Sequence, residues 1–147
     1  MRQNATAWSE HAREELRHAG ARSGGARDAV IAYLAAQDCC LSAQEVFDGL
    51  RAGHRSVGLA SVYRALEQLA ELRLVHRVDF GNGVTRFETA DPGGHHHHHL
   101  VCAQCGRVDT FDDPGLERAL SRIAGGQGYD LNDHDVVLHG TCAGCRA

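Results

Sequence analysis

Two Cys-x-x-Cys knuckles, Cys102-Ala103-Gln104-Cys105 and Cys142-Ala143-Gly144-Cys145, stand 36 residues apart at the C-terminal end of a 147-residue chain. Each knuckle brings two sulfurs within reach of one metal ion, and the pair completes a closed tetrahedral four-thiolate site. Whatever lies between them must leave the site and return to it. That stretch reads as strands over 96–103 and 107–111, a helix from Pro114 to about Ala124 and a last strand over 136–140. A β-β-α-β unit of about 55 residues is too small to rest on an apolar core alone. Structural zinc, worth on the order of 10–16 kcal/mol in small domains, is the expected staple. Two disulfides, inert buried thiols or a redox pair are the competing uses. Disulfides suit an oxidising compartment, and a redox motif needs one knuckle rather than two.

The first half has a different periodicity. A helix is expected from Ser9, as N-cap, to Gly20, with Ala12, Leu16 and Ala19 as its apolar stripe. A second runs from about Ala26 to Gln37, with Val30, Ile31, Leu34 and Ala35 at helical spacing. Ser42 followed by Glu45 is a capping box for a third, which buries Val46, Phe47 and Leu50 before Gly53. The fourth, about Leu59 to Leu72, carries Val62, Leu66, Leu69 and Leu72 on one face and Ser61, Arg64, Glu67 and Gln68 on the other, with Tyr63 beside them. The period then shortens to two. Strands over 75–80 and 84–88 meet at Gly81-Asn82-Gly83, a tight hairpin turn. Helices closed by a hairpin predict a winged helix-turn-helix. The chain is therefore read as α/β in the α+β sense: a winged-helix DNA-binding domain over 1–88, a hinge over 89–94 containing Asp91-Pro92-Gly93-Gly94, and a small metal-binding α/β domain over 95–147.

Charge narrows the partners. All 15 basic residues are arginine and the net charge is −4. Residues 1–88 balance 11 Arg against 11 acids, so the deficit falls entirely in the second half. No global basic footprint exists, and nucleic-acid binding must rest on a local surface. Neither a bilayer-spanning apolar run nor a hydrophobic signal core at Met1 to Glu10 is present, so a cytoplasmic protein without membrane contact is expected.

The 11 histidines include an internal run, His95 to His99. A purification tag or a flexible surface tract would explain such a run, but this one leads straight into Leu100-Val101 and the first knuckle, which predicts strand. Alternation then sends His97 and His99 to one face and His96 and His98 to the other. Half a metal site is built on each face. Groups that can complete them are His76, Glu88 and Cys40 in the helical half, and Glu117 and His134 in the second. The adjacent Cys39 and Cys40 also fit as small core residues between the second and third helices.

Three ordered motifs together resemble the ferric uptake regulator family: Gly58-Leu59-Ala60-Ser61-Val62-Tyr63-Arg64-Ala65-Leu66, the run from His95 through Gly106, and Gly140-Thr141-Cys142-Ala143-Gly144-Cys145. The resemblance implies DNA contacts from Ser61, Tyr63 and Arg64 on the recognition helix, with Arg22 and Arg27 as basic positions near the second helix. Ser23-Gly24-Gly25-Ala26 replaces the family's usual stretch between those arginines. It assigns structural zinc to Cys102, Cys105, Cys142 and Cys145. It assigns a regulatory ion at the hinge to His97, His99 and Glu88, with His76 and optionally Cys40. It assigns a second site in the dimerisation domain to His96, His98, Glu117 and His134. Thr110 stands where peroxide-type members often carry an acid, and Ala90 where many zinc-type members carry Cys.

The function so implied is a homodimeric, metal-dependent transcriptional repressor that binds a palindromic operator in double-stranded DNA and controls metal-homeostasis genes. Recognition helices about 34 Å apart would enter successive major grooves. His76 and a thiol at Cys40 favour zinc as the regulatory ion, whereas Glu88 and Ala90 favour iron or manganese, with a peroxide-sensing variant of the iron reading. A metal storage or delivery protein would not need Tyr63 and Arg64. A zinc hydrolase would need an open metal position and a general base, and no such helix motif occurs; no enzyme is expected.

Overall fold

The computed structural model describes residues 2–22, 24–94 and 96–146; Met1, Ser23 and His95, which enter the sequence reading, lie outside them. The chain divides into two compact units, Met1–His95 and His96–Ala147, so that residues 89–94 group with the first.

The first unit runs α1 (Arg2–His18), α2 (Gly25–Ala35), β1 (Leu41–Ser42), α3 (Ala43–Ala52), α4 (Leu59–Glu71), β2 (Val75–Asp79) and β3 (Thr85–Thr89). Its sheet is antiparallel in the order β1-β3-β2. The stripes expected on the helices meet in one core, with Ile31, Val46, Val62 and Leu66 fully enclosed and Phe87 of β3 closing it from the sheet side. Gly81 and Gly83 take φ of 79° and 76° at the hairpin turn, a conformation that costs a residue without Cβ nothing.

Several sequence expectations need correction. Ser9 does not cap α1, which begins seven residues earlier at Arg2; the Ser9 hydroxyl donates back to the Thr6 carbonyl at 2.9 Å, a mid-helix arrangement. The reason is Trp8, which is 3% exposed and donates its indole Nε1–H to the Leu74 carbonyl at 2.9 Å. Burial of that ring extends the helix past the best local cap. Ala19 lies exposed beyond the end of α1, and Phe47 and Leu72 are only half-buried. α3 ends before Gly53 as expected, with Gly53 as its C-cap at φ −82° and the left-handed turn one residue later. His54 takes φ 58°, and the Arg55 N–H reaches back to the Leu50 carbonyl at 2.9 Å. β1 was not expected, since two residues carry no readable period.

The capping box is present. Ser42 Oγ accepts from the Glu45 N–H at 3.2 Å, and Glu45 Oε2 accepts from the Ser42 N–H at 2.8 Å. The same carboxylate oxygen pairs with Arg86 of β3 at 2.7 Å. Burial alone would raise the Glu45 pKa, but the Ser42 N–H and then Arg86 outweigh it and hold the carboxyl below its ordinary 4.5. A depressed folded-state pKa contributes stability that is complete above the ordinary value and is lost as pH falls through the folded one. Glu45→Gln should therefore flatten the acid limb of stability below pH 4.5 while costing about 1 kcal/mol or less at neutrality for so exposed a pair. Urea melts from pH 3 to 7 measure it, and an unchanged acid limb contradicts it.

The second unit runs β4 (His98–Cys102), β5 (Val108–Phe111), α5 (Pro114–Gly126) and β6 (Val137–Gly140). Its sheet has the order β5-β4-β6, with β5 antiparallel and β6 parallel to β4. The parallel pairing requires a crossover, which α5 supplies. Asp113 caps α5 by accepting from the Leu116 N–H at 2.9 Å, and Pro114 occupies the first turn. The ladder begins at His98 rather than His96, because β5 ends at Phe111 opposite His98 and turns away toward α5. No residue of α5 is buried in the single chain, and Ile123, Tyr129, Leu131 and Leu138 are exposed apolar side chains.

Candidate metal centres and nucleic-acid surface

The first knuckle turns between β4 and β5. Gly106 at φ 74° lets its N–H return to the Cys102 carbonyl at 2.9 Å, and the Cys102 N–H reaches the Arg107 carbonyl at 2.9 Å. The parallel run of β6 beside β4 brings Gly140 level with Cys102 and delivers the second knuckle to the first. All four sulfurs lie within 4.8 Å of one another. Cys105 and Cys142 are 3.7 Å apart, Sγ to Sγ, and none of the four is in a disulfide. A tetrahedron with metal–sulfur bonds of about 2.3 Å has edges of about 3.8 Å, so the sulfurs fit a zinc-sized ion with no open position. The Cys142 N–H donates to the Cys102 sulfur at 3.4 Å. That bond, with further N–H groups at Cys105 and Gln104, draws the Cys102 thiol down to about 6, whereas crowding by Cys142 and Cys105 pushes Cys145 up to about 12. Four sulfurs this close are able to hold one cation among them.

A second cluster forms from His96, His98, Glu117 and His134, whose donor atoms also lie within 4.8 Å of one another. His98 Nε2 is 2.6 Å from Glu117 Oε1, His134 Nε2 is 3.0 Å from Glu117 Oε2, and His96 and His134 approach at 3.1 Å between Nε2 atoms. Glu117 comes from the first turn of α5, and its carboxyl is held below the usual range, chiefly by His98 and then by His134 and His96. Three imidazoles and one carboxylate at these spacings fit a tetrahedral zinc or a similar borderline cation. His98 is 1% exposed, with its ring against Phe111. His97 and His99 pair separately, ring centroids 5.5 Å apart.

In the first unit, β2 and β3 pair His76 with Glu88, so the two share one rung and one face of the sheet. Leu41 pairs with Phe87 in the antiparallel β1–β3 ladder, which brings Cys40, one residue earlier, level with Glu88 on its other side. Cys40 is buried, and its thiol is pushed up first by the neighbouring Cys39 sulfur, then by burial, with the Glu88 carboxylate adding to it. Cys40, Glu88 and His76 thus lie along one line across the three strands. His76 is exposed and joins no three-donor group among the described residues.

Arg22, Arg27, Ser61, Tyr63 and Arg64 line one open cleft of about 760 Å³ between the start of α2 and the outer face of α4. Tyr63 is 49% exposed, so its ring is not packed between helices. Ser61 Oγ accepts from Arg64 Nη2 at 3.1 Å and holds that guanidinium over the cleft. Arg27 Nη1 donates to the Arg22 carbonyl, linking the two basic positions across the Ser23-Gly24-Gly25-Ala26 stretch. Two acids, Glu67 and Glu71, share the cleft, and Glu67 is paired with Arg77 of β2. Sequence reading missed that pair, since its members belong to different elements and share no local pattern.

A winged helix with an arginine- and tyrosine-lined cleft, followed by a unit that gathers thiolates and imidazoles into separate clusters, defines a metal-binding, DNA-binding regulator. Residues 18–139 match the ferric uptake regulator family. The ferric uptake regulation protein of Bacillus subtilis is 36% identical over 107 residues, spanning 72% of this chain and 72% of that protein. That of Pseudomonas aeruginosa is 38% identical over 126 residues, 85% of this chain and 92% of its own. Among solved structures, the Vibrio cholerae ferric uptake regulator superposes with a TM-score of 0.78 at 34% identity, covering 88% of this chain and 98% of that one. A zinc-bound manganese uptake regulator superposes with a TM-score of 0.70 at 26% identity, covering 89% and 98%. The chain belongs to the ferric uptake regulator family. Members are transcription regulators rather than enzymes, and they bind DNA and form dimers. Among the described residues, no helix is long and apolar enough to cross a membrane.

Proposed function

We propose that this chain is a homodimeric repressor whose hold on a palindromic operator depends on a regulatory ion, and that the ion is zinc. The observation that carries the reading is the division of the histidine run. One face is consumed by the closed four-donor cluster with Glu117 and His134, and the other presents His97 and His99 as a separate pair. His97 and His99 are read, with Glu88, as the regulatory ligands, and His76 and Cys40 extend that set on the same rung of the first sheet. Imidazoles with a thiol suit a tetrahedral borderline ion. The Glu88 carboxylate supports a second reading, an iron- or manganese-responsive regulator.

The residues supply the rest. Tyr63 offers its ring to thymine methyls and its hydroxyl to phosphate, and Arg64, held by Ser61, reaches phosphate or guanine. Arg22, Arg27 and the N-terminal amides of α2 present positive potential to the backbone. The exposed apolar side chains of α5 and β6 supply the face for a second copy. An ion that selects one separation of the two recognition helices raises DNA affinity, and DNA raises ion affinity by the same factor, about 5–150-fold in typical couplings.

Operator titrations with zinc, iron and manganese, against protein holding only its four-cysteine metal, test this. Zinc should give the largest gain; a larger gain with iron or manganese selects the second reading, and no gain with any metal overturns both. His97→Ala should bind DNA equally with and without added metal, while Tyr63→Ala should lose affinity in every metal state with metal content unchanged.

A further inference from the structure

Cys39 and Cys40 lie in the bend between α2 and β1. Consecutive side chains of an extended strand point to opposite faces, but the bend turns both sulfurs to one side, 3.6 Å apart. Cys39 is half-exposed and Cys40 is buried level with Glu88. We infer that this adjacent pair is a reversible oxidation site that closes a disulfide on exposure to hydrogen peroxide; its effect on DNA binding rests on the regulatory-site reading above.

The chemistry needs only the two thiols and the peroxide. The sulfur of Cys39, the less buried residue of the pair, attacks one peroxide oxygen; an S–O bond forms, the O–O bond breaks, and the leaving hydroxide takes the thiol proton as water. The Cys40 sulfur then attacks the sulfenic sulfur of Cys39; the S–S bond forms, the S–O bond breaks, and the departing hydroxyl leaves with the Cys40 proton as a second water. Two thiols are oxidised and one peroxide is reduced.

Geometry makes the product labile. The sulfurs must close to about 2.05 Å, while adjacent Cα atoms are held at about 3.8 Å, below the span of about 4.4 Å or more that ordinary disulfides prefer. A ring so constrained is easily reduced, the property of a regulatory rather than a structural disulfide. Closure removes the Cys40 sulfur from the rung of Glu88. It also twists the peptide that leads into Leu41 and the α3 cap at Ser42.

The test uses the full chain with zinc in its four-cysteine site, treated with limiting hydrogen peroxide and cleaved after arginine. The fragment Asp28–Arg51 contains Cys39 and Cys40 and no other cysteine, and the two knuckles fall on separate fragments that serve as controls. The expected result is an Asp28–Arg51 fragment lighter by two hydrogens, restored by a dithiol, with operator affinity reduced about tenfold and zinc content unchanged. Cys39→Ser keeps the Cys40 thiol but should show no such mass loss, and its DNA binding should resist peroxide. A fragment that gains only oxygen or does not change overturns the inference, as does a Cys39→Ser protein equally sensitive to peroxide. Loss of the two hydrogens in a protein whose DNA binding ignores metal supports the oxidation site and overturns the regulatory-site reading instead.

Discussion

Cys102→Ser should abolish folding of the second unit while leaving the first to melt as before. Cys102 is the most enclosed of the four cysteines, 5% exposed, and its sulfur receives the Cys142 N–H that locks one knuckle to the other. Losing one of four thiolates forfeits most of a binding free energy of about 10–16 kcal/mol, as large as the whole stability of an ordinary domain, about 5–15 kcal/mol. Beyond the knuckles the second unit has little to hold it: α5 contributes no buried residue, and among the described residues the buried side chains outside the knuckles are the histidines His98 and His99. Metal analysis should show loss of the structural equivalent, and sedimentation should show a monomer. The single tryptophan, Trp8, belongs to the first unit. Its fluorescence melt should therefore be unchanged, and a variant that retains both its zinc and a cooperative second unit contradicts the staple.

Trp8→Ala should cost the first unit about 3–5 kcal/mol, the usual penalty for emptying a buried aromatic site. The ring seals α1 against the core, and its Nε1–H shares the Leu74 carbonyl with the Ala90 N–H, which donates at 3.0 Å. Leu74 lies where α4 hands over to β2, just past Arg73, held at a left-handed φ of 57°. Trp8 therefore steadies the end of α4 from 66 residues away in sequence. Trp8→Phe keeps most of the apolar area and leaves the Leu74 carbonyl one donor, so it should cost only about 1–2 kcal/mol. Chemical denaturation followed by circular dichroism separates the two variants, and equal losses would show that packing carries none of the effect.

Much of the fold was legible because its signals are local. The stripes of α2, α3 and α4, the Ser42–Glu45 box, the Gly81-Asn82-Gly83 turn and Pro114 each act within one or two turns of chain. What failed also has a common cause. Ser9 has the chemistry of a cap, but burial of Trp8 overrides it; β1 is two residues long and exists only because β3 lies beside it. His54 and Arg73 adopt left-handed backbone that tertiary packing imposes on residues with no preference for it.

The candidate sites divide along the same line. Ligand identity belongs to the amino-acid sequence: thiolates spaced for a closed site, imidazoles alternating on a strand, an arginine and a tyrosine on the polar face of a helix. Proximity belongs to the tertiary structure, because Glu117 and His134 approach His96 and His98 only through the crossover by α5, and Cys142 meets Cys102 only through the parallel pairing of β6 with β4. Periodicity and spacing act over a few residues and are written in the chain, whereas the few ångströms that separate ligating atoms from ordinary surface groups are set by which elements pack together.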